Sequence, residues 1–263
     1  MKEIHLGWRS FSTFDITMKH FKYLLFLNIL CSIVLFTHCG DSDNPVSDNI
    51  TNTTDDDDSR DIDNSSDGAS ESAIFLAENG VTIRASNVAV IGEKYELAGI
   101  SYLVVDSTIL IEMITNEEDI TKVVTTHITS LNNLFNSSPS WNLSWSYGVN
   151  FNQDIGSWDV INVNSMIDAF IDLPSFNQDI SHWEVISVTD MSGTFANCPS
   201  FNQNLSDWNV SNVTKMGGMF AGTTSFNQDL SSWSVSNVID CNKFSINAEK
   251  WILPKPNFTN CTE

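Results

Sequence analysis

FNQDIGSWDV from Phe151, FNQDISHWEV from Phe176, FNQNLSDWNV from Phe201 and FNQDLSSWSV from Phe226 are four versions of one phrase, each starting 25 residues after the last. Fixed self-similarity at that length marks a repeat protein, in which each copy is one supersecondary unit that buries its apolar face only against its neighbours. In the first copy Ile155, Trp158, Val160 and Val163 are apolar. The later copies put Ile180/Trp183/Val185/Val188, Leu205/Trp208/Val210/Val213 and Leu230/Trp233/Val235/Val238 at the same offsets.

That spacing is the L-x-x-L-x-L frame of a leucine-rich repeat, where a short strand lines one face of a curved stack. Trp158-Asp159-Val160 alternates with the period of a half-buried strand. Met166/Phe170, Met191/Phe195 and Met216/Phe220, four residues apart, fit one turn of helix. The expected fold is an α/β repeat. It is a leucine-rich-repeat-like solenoid with one short parallel strand and one short helix or turn per 25-residue repeat, closed by a small N-terminal α+β cap.

Working outward, Val81–Ala85, Tyr95–Leu97 and Ile100–Val105 read as short strands, with turn signals at Asn79-Gly80 and Ala98-Gly99. Asp106 or Ser107 can cap a helix reaching about Ile114, and a second short helix is expected near Asn116–Asp119. Ile128, Leu131 and Phe135 copy the back half of a repeat, Val163, Met166 and Phe170. Phe135 and Phe170 are 35 residues apart where one repeat spans 25, so ten residues are inserted. Insertions in repeat proteins map to loops, often on a binding face. Trp141, Trp145 and Tyr147 in this loop are either an aromatic contact surface for a glycan or partner, or a cover for the edge of the first full repeat.

At the other side of the chain's composition stands its charge: 33 acidic against 12 basic residues, a net −21. Residues 1–38 hold two acids and four bases, so the remainder carries 31 acids against 8 bases. Binding to phosphate backbones needs Lys and Arg, so nucleic acid is excluded as a partner. Lys19 and Lys22 precede a nearly unbroken apolar run from Tyr23 to Phe36, and Cys39-Gly40-Asp41 follows. This is the pattern of a secretory signal, and the cysteine at its end resembles that of a bacterial lipoprotein, with Cys39 as the lipidated residue. About 14 apolar residues fall short of the ~20 needed to span a bilayer. Residues 40–72 are mostly Asp, Ser, Asn and Thr, too polar to form a core, and are expected to be a disordered acidic tether. The expected order is therefore signal peptide 1–38 (with Met18 as an alternative start), tether 39–72, N-terminal cap 73–122, repeats 123–244 and C-terminal cap 245–263.

The run W-x-V-x-x-V-x-x-M-x-x-x-F followed by F-N-Q-x-[IL]-x-x-W resembles the BspA-like leucine-rich repeat surface proteins of bacteria, in their short-repeat branch. The resemblance covers about Asn79 to the C-terminus and is most specific over Phe151–Phe244. It implies an envelope or secreted protein, facing outward, associated with adhesion and protein binding and with no defining catalytic activity. The chain departs from plant and animal leucine-rich repeats by holding Val163, Val188, Val213 and Val238 where those place a ladder Asn or Cys.

Several columns and single residues offer candidate chemistry. The column Asp154, Asp179, Asn204 and Asp229 can be read as a calcium or glycosidase carboxylate set, but its third member is Asn and its Asn152/Gln153-type neighbours suit bonding to turn backbone. The Trp158, Trp183, Trp208 and Trp233 column is expected in the core, two residues before an inward valine. His127 and His182 are the only histidines after residue 38, and no nucleophile motif or phosphate loop accompanies them. No enzyme, metal or cofactor is therefore expected. In an exported protein Cys241 and Cys261 can pair, pinning the cap to the last repeat; alternatively each is a small buried apolar residue. Binding is expected on the outward strand positions Ser157/Asp159, His182/Glu184, Asp207/Asn209 and Ser232/Ser234, which vary while the core does not. Four rungs at ~4.8 Å give a face about 20 Å long. The expected partner is a protein, or alternatively a glycan, on a cell surface or in extracellular matrix, with the membrane reached only through the N-terminal lipid.

Overall fold

Antiparallel pairing begins where short apolar runs flank a glycine turn. In the computed structural model, which describes residues 71–135 and 150–263, β1 (Ile74–Leu76) pairs with β2 (Ile83–Ala85) around Asn79-Gly80. The Asn79 side chain accepts from the N–H groups of Val81 and Thr82, and Gly80 has φ 71°. β3 (Lys94–Leu97) and β4 (Ile100–Val104) form a second hairpin around Ala98-Gly99, both at positive φ. β5 (Val123–Val124) adds in parallel to β4. Between them α1 (Ser107–Thr115) starts on Asp106, whose carboxylate accepts from the Ile109 N–H at 2.9 Å. The expected second helix at 116–119 is a turn instead, with Glu117 at φ 57°. β1 and β5 are additional to the strands read from the sequence.

The repeats correct the expected architecture. Among the described residues, 150–263 contain no helix and no strand, so the α/β leucine-rich-repeat-like solenoid with a strand and a helix in each unit is not what the chain forms. Each unit is a string of turns, and the regular pairing between units is a single parallel bridge, running Ser130–Ser165–Asp190–Lys215–Asp240. The expected strand fails because its two ends are tied into successive turns. The Trp158 N–H bonds the Ile155 carbonyl at 3.1 Å, and the Val163 N–H bonds Val160 at 2.9 Å. Two such turns place the same four apolar side chains inward, so the spacing alone does not distinguish them from a strand. The expected helical turn fails for a stereochemical reason. Asp168 and Asp172 hold φ of 52° and 59°, and an L-residue in that region interrupts a right-handed helix. The equivalents are Gly193 and Asn197, Gly218 and Gly222, Lys243 and Asn247, all at positive φ. Gly, Asn and Asp dominate because they tolerate that conformation best. The N–H groups of Met166, Asp168, Phe170 and Asp172 therefore point out of their own unit and donate to Asp190, Ser192, Thr194 and Ala196 at 2.9 Å each.

One core runs through the whole stack, from Val105 and Leu110 of the N-terminal piece to Trp251. The tryptophan column is inside: Trp158, Trp183, Trp208 and Trp233 are at most 5% exposed. Each indole N–H finds a carbonyl of the preceding turn, Trp183 on Ile155, Trp208 on Ile180 and Trp233 on Leu205 at 2.8–3.2 Å. Phe170, Phe195 and Phe220 stack with centroids 5.6 and 5.5 Å apart, as Phe176 and Phe201 do at 5.6 Å. At the C-terminus, Trp251 packs edge-on against Phe226, and Cys241 and Cys261 form a disulfide. Trp208→Ala should lower the unfolding free energy by about 3–5 kcal/mol, because it empties a cavity and orphans the Ile180 carbonyl. A denaturant titration measures this; a loss below about 1 kcal/mol would show that the column contributes little.

Candidate binding surface

The polar phrase F-N-Q-[DN] turns out to be structural. Asn152 Oδ1 accepts from the Asn177 N–H at 2.8 Å, Asn177 Oδ1 from Asn202 at 2.9 Å, and Asn202 Oδ1 from Asn227 at 2.8 Å. The adjacent glutamines return the bond: Gln178, Gln203 and Gln228 each donate to the Asn carbonyl one unit back, at 2.8–2.9 Å. An asparagine ladder thus exists, eleven residues before the valine column where leucine-rich repeats would carry it. The carboxylate column is equally committed. Asp154, Asp179, Asn204 and Asp229 each accept from the N–H two residues on, at 3.0 Å. An amide oxygen serves as well as a carboxylate there, which explains Asn204. The Ser181 hydroxyl and N–H hold Asp179 below the usual carboxylate range, and Ser231 does the same for Asp229. Among the described residues no three His, Cys, Asp or Glu side chains converge on one point to hold a metal ion. Cys198 is buried, its thiol donates to the Phe170 carbonyl, and burial pushes its pKa up to about 12, so it is not a reactive thiol.

The eight outward positions do not form one open face. Asp159 is a correction: it is 1% exposed, not outward. The N-terminal hairpin lies across it. Arg84 Nε is 3.4 Å from Asp159 Oδ1, Thr126 Oγ1 donates to Oδ2 at 2.7 Å, and the Ile161 N–H lies 3.3 Å from Oδ1. The backbone of Asp159 exchanges two hydrogen bonds with the Thr125 hydroxyl. Ser157 is half-buried and its carbonyl accepts from the Ile83 N–H at 3.0 Å. Arg84 also reaches Glu184, with Nη2 2.5 Å from Oε1, so it joins the carboxylates of two successive units. Asn79 meets the His182 carbonyl at 3.4 Å. The described residues beyond the hairpin leave His182, Glu184, Asp207, Asn209, Ser232 and Ser234 exposed. Asn209 is engaged by Ser211, and Ser232 bonds the Ser206 carbonyl. His182, Asp207 and Ser234 have no side-chain hydrogen bond among the described residues.

The repeat pattern does not point to Arg84 or Thr126. The available signal was that Arg84 is the only arginine after Arg60 in a strongly acidic chain. Cys39, the tether and the Trp141/Trp145/Tyr147 loop lie outside the described residues. Among those described, no helix is long and apolar enough to cross a membrane.

The architecture is that of a turn-built repeat protein with a partly covered polar face. Residues 143–253, which contain all four copies of the phrase, match a family described as "Mycoplasma protein of unknown function, DUF285". That stretch is less than half of the chain, and the chain is similar to the family over it. No curated protein and no solved structure matches the chain.

Two expectations follow from these charges. Arg84→Ala strands the buried Asp159 carboxylate and should cost about 3 kcal/mol in a denaturant titration, part of which returns when Asp159→Asn is added. Equal stability of the two variants would show that the pair is not coupled. Asp168 behaves oppositely to Asp179: its own burial, then the carboxylates of Asp172 and Asp190, raise its pKa. A carboxyl raised in the folded state costs stability above its folded pKa and nothing below the unfolded value. Asp168→Asn, which also tolerates positive φ, should therefore raise Tm at neutral pH, with the gain vanishing at about pH 3. A gain that persists in acid would rule out this electrostatic origin.

Proposed function

We propose that this chain is a non-enzymatic binding module of the bacterial cell surface, anchored by lipid on Cys39 and recognising a protein through the uncovered part of its variable face. The observation that supports it is a division of labour within the repeat. The repeated polar side chains are all committed to the framework: Trp, Asn and Gln join one unit to the next, through a carbonyl, an N–H and a carbonyl in turn, and Asp or Asn closes its own turn. The positions that change from unit to unit, His182/Glu184, Asp207/Asn209 and Ser232/Ser234, are exposed. Of these, His182, Asp207 and Ser234 make no side-chain hydrogen bond among the described residues, so recognition can vary there without loss of the fold. The row is small, polar and acidic, and it suits a partner surface rich in Lys, Arg or other hydrogen-bond donors.

The test is capture of extracellular and envelope proteins by immobilised residues 73–263, beside a variant carrying Glu184→Lys and Asp207→Lys. Binding that falls at least about tenfold in the variant, a loss of ~1.4 kcal/mol, is expected. Equal capture by both would overturn the assignment of this face.

A further inference from the structure

Each unit donates backbone N–H groups to the unit after it. Met216, Gly218, Phe220 and Gly222 donate to the carbonyls of Asp240, Asn242, Phe244 and Ile246 at 2.7–2.9 Å. One unit on, the equivalent donors are Cys241, Lys243, Ser245 and Asn247, and no described unit follows them. Lys243 and Asn247 are exposed, stand at φ 57° and 60°, and their N–H groups make no hydrogen bond among the described residues. The Ser245 N–H does have a partner: Glu263 Oε1 at 3.0 Å. The same oxygen accepts from the Ser245 hydroxyl and lies 3.6 Å from Lys255 Nζ, which itself donates to Ser245 Oγ at 2.6 Å. A carboxylate of the tail stands where the next unit's carbonyl would be. Backbone donors alternating with positive-φ residues form a concavity that attracts such oxygens. Cys261, two residues earlier, is bonded to Cys241 of the same rung.

The side chains at this edge are also unusual. Ile246 is 45% exposed and Ile239 67%, where the preceding unit has Ala221 and Thr214. The opposite end of the stack offers the complement. Leu131 and Asn133 donate forward to Ser165 and Ile167. The carbonyls of Ser130 and Asn132, equivalent to those acceptors, receive no hydrogen bond among the described residues. One edge thus carries donors and the other acceptors, both at every second residue of the same ladder.

We propose that the C-terminal edge is a docking surface for a second copy of this chain, latched shut by Glu263 and the Cys241–Cys261 bond. The ladder's register assigns Cys241 N–H to the Ser130 carbonyl of the incoming copy and Lys243 N–H to that of Asn132, with Ile239 and Ile246 covered beside them. Unlike edges pair head to tail, so association is open-ended rather than stopping at a dimer. The latch works as other edge protections do, by filling a backbone site with a group that nothing can extend. Opening it needs residues 259–263 to move and the Lys255 side chain to leave Ser245. Trp251 to Phe258 are held separately, by Trp251 on the Gln228 carbonyl, the Pro254 carbonyl on the Leu230 N–H and Phe258 against Phe244.

Sedimentation velocity of the full chain in one mild detergent tests this across a concentration series. The native, oxidised chain should sediment as one species. Cys241→Ala/Cys261→Ser/Glu263→Gln should give a concentration-dependent series of larger species while keeping its near-ultraviolet circular dichroism. Adding Ile246→Asp should return it to the native sedimentation coefficient. Glu263→Gln alone, which retains the disulfide, should show a partial shift and decides the matter if the triple variant does not fold. A folded, unlatched chain that stays at the native coefficient would overturn the proposal. So would association that survives Ile246→Asp, or association that appears only with loss of the native spectrum.

Discussion

The forward donation of backbone N–H groups from one 25-residue unit into the next is the bond on which everything else in this molecule depends. Met166, Asp168, Phe170 and Asp172 give theirs to the following unit rather than to their own. A turn-rich backbone has little internal hydrogen bonding, and leaving such groups buried and unpaired would cost roughly 1–3 kcal/mol each. No unit is therefore stable by itself, and the strict repetition of Phe, Asn, Gln and Trp follows. Each of those side chains either closes a backbone group the ladder misses or fills the space between rungs.

This requirement also shapes the two ends. On the N-terminal side the chain imitates a missing unit: Gln153 Nε2 donates to the Glu118 carbonyl, and the Trp158 indole to that of Ile120. These are the bonds that Gln178 and Trp183 make to Asn152 and Ile155 in the next rung. On the C-terminal side Asn227 closes on the N–H groups of Ile252 and Leu253, so the tail stands in for a further unit along that column. The edge at 241–247 is met at Ser245 by the side chain of a tail residue, the carboxylate of Glu263.

The variable face is limited by the same N-terminal piece. Arg84 spans Asp159 and Glu184, so the hairpin that precedes the repeats is held to their outer side by the one arginine among the described residues. A face that looks continuous when the copies are aligned is in fact occupied at its first rung. What remains open lies on the later units, where the side chains of His182, Asp207 and Ser234 make no hydrogen bond among the described residues.

The repeat, its length, the inward tryptophans and valines, the inter-unit role of Asn and Gln, and a helix cap at Asp106 or Ser107 were legible in the sequence, because each rests on residue identity at a fixed offset. The conformation of the unit was not. Ile155, Trp158, Val160 and Val163 satisfy a strand and a pair of turns equally well, and Met166 and Phe170 satisfy a helix and an outward-donating rung. The choice belongs to Asp168 and Asp172, whose positive φ is favourable only when a neighbouring unit accepts the N–H groups that this conformation turns outward. The burial of Asp159 by Arg84 is likewise a contact across 75 residues. Local patterns determined which side chains face inward; tertiary stacking decided the backbone between them and which outward residues stay in water, because hydrogen bonds between units have no counterpart within one.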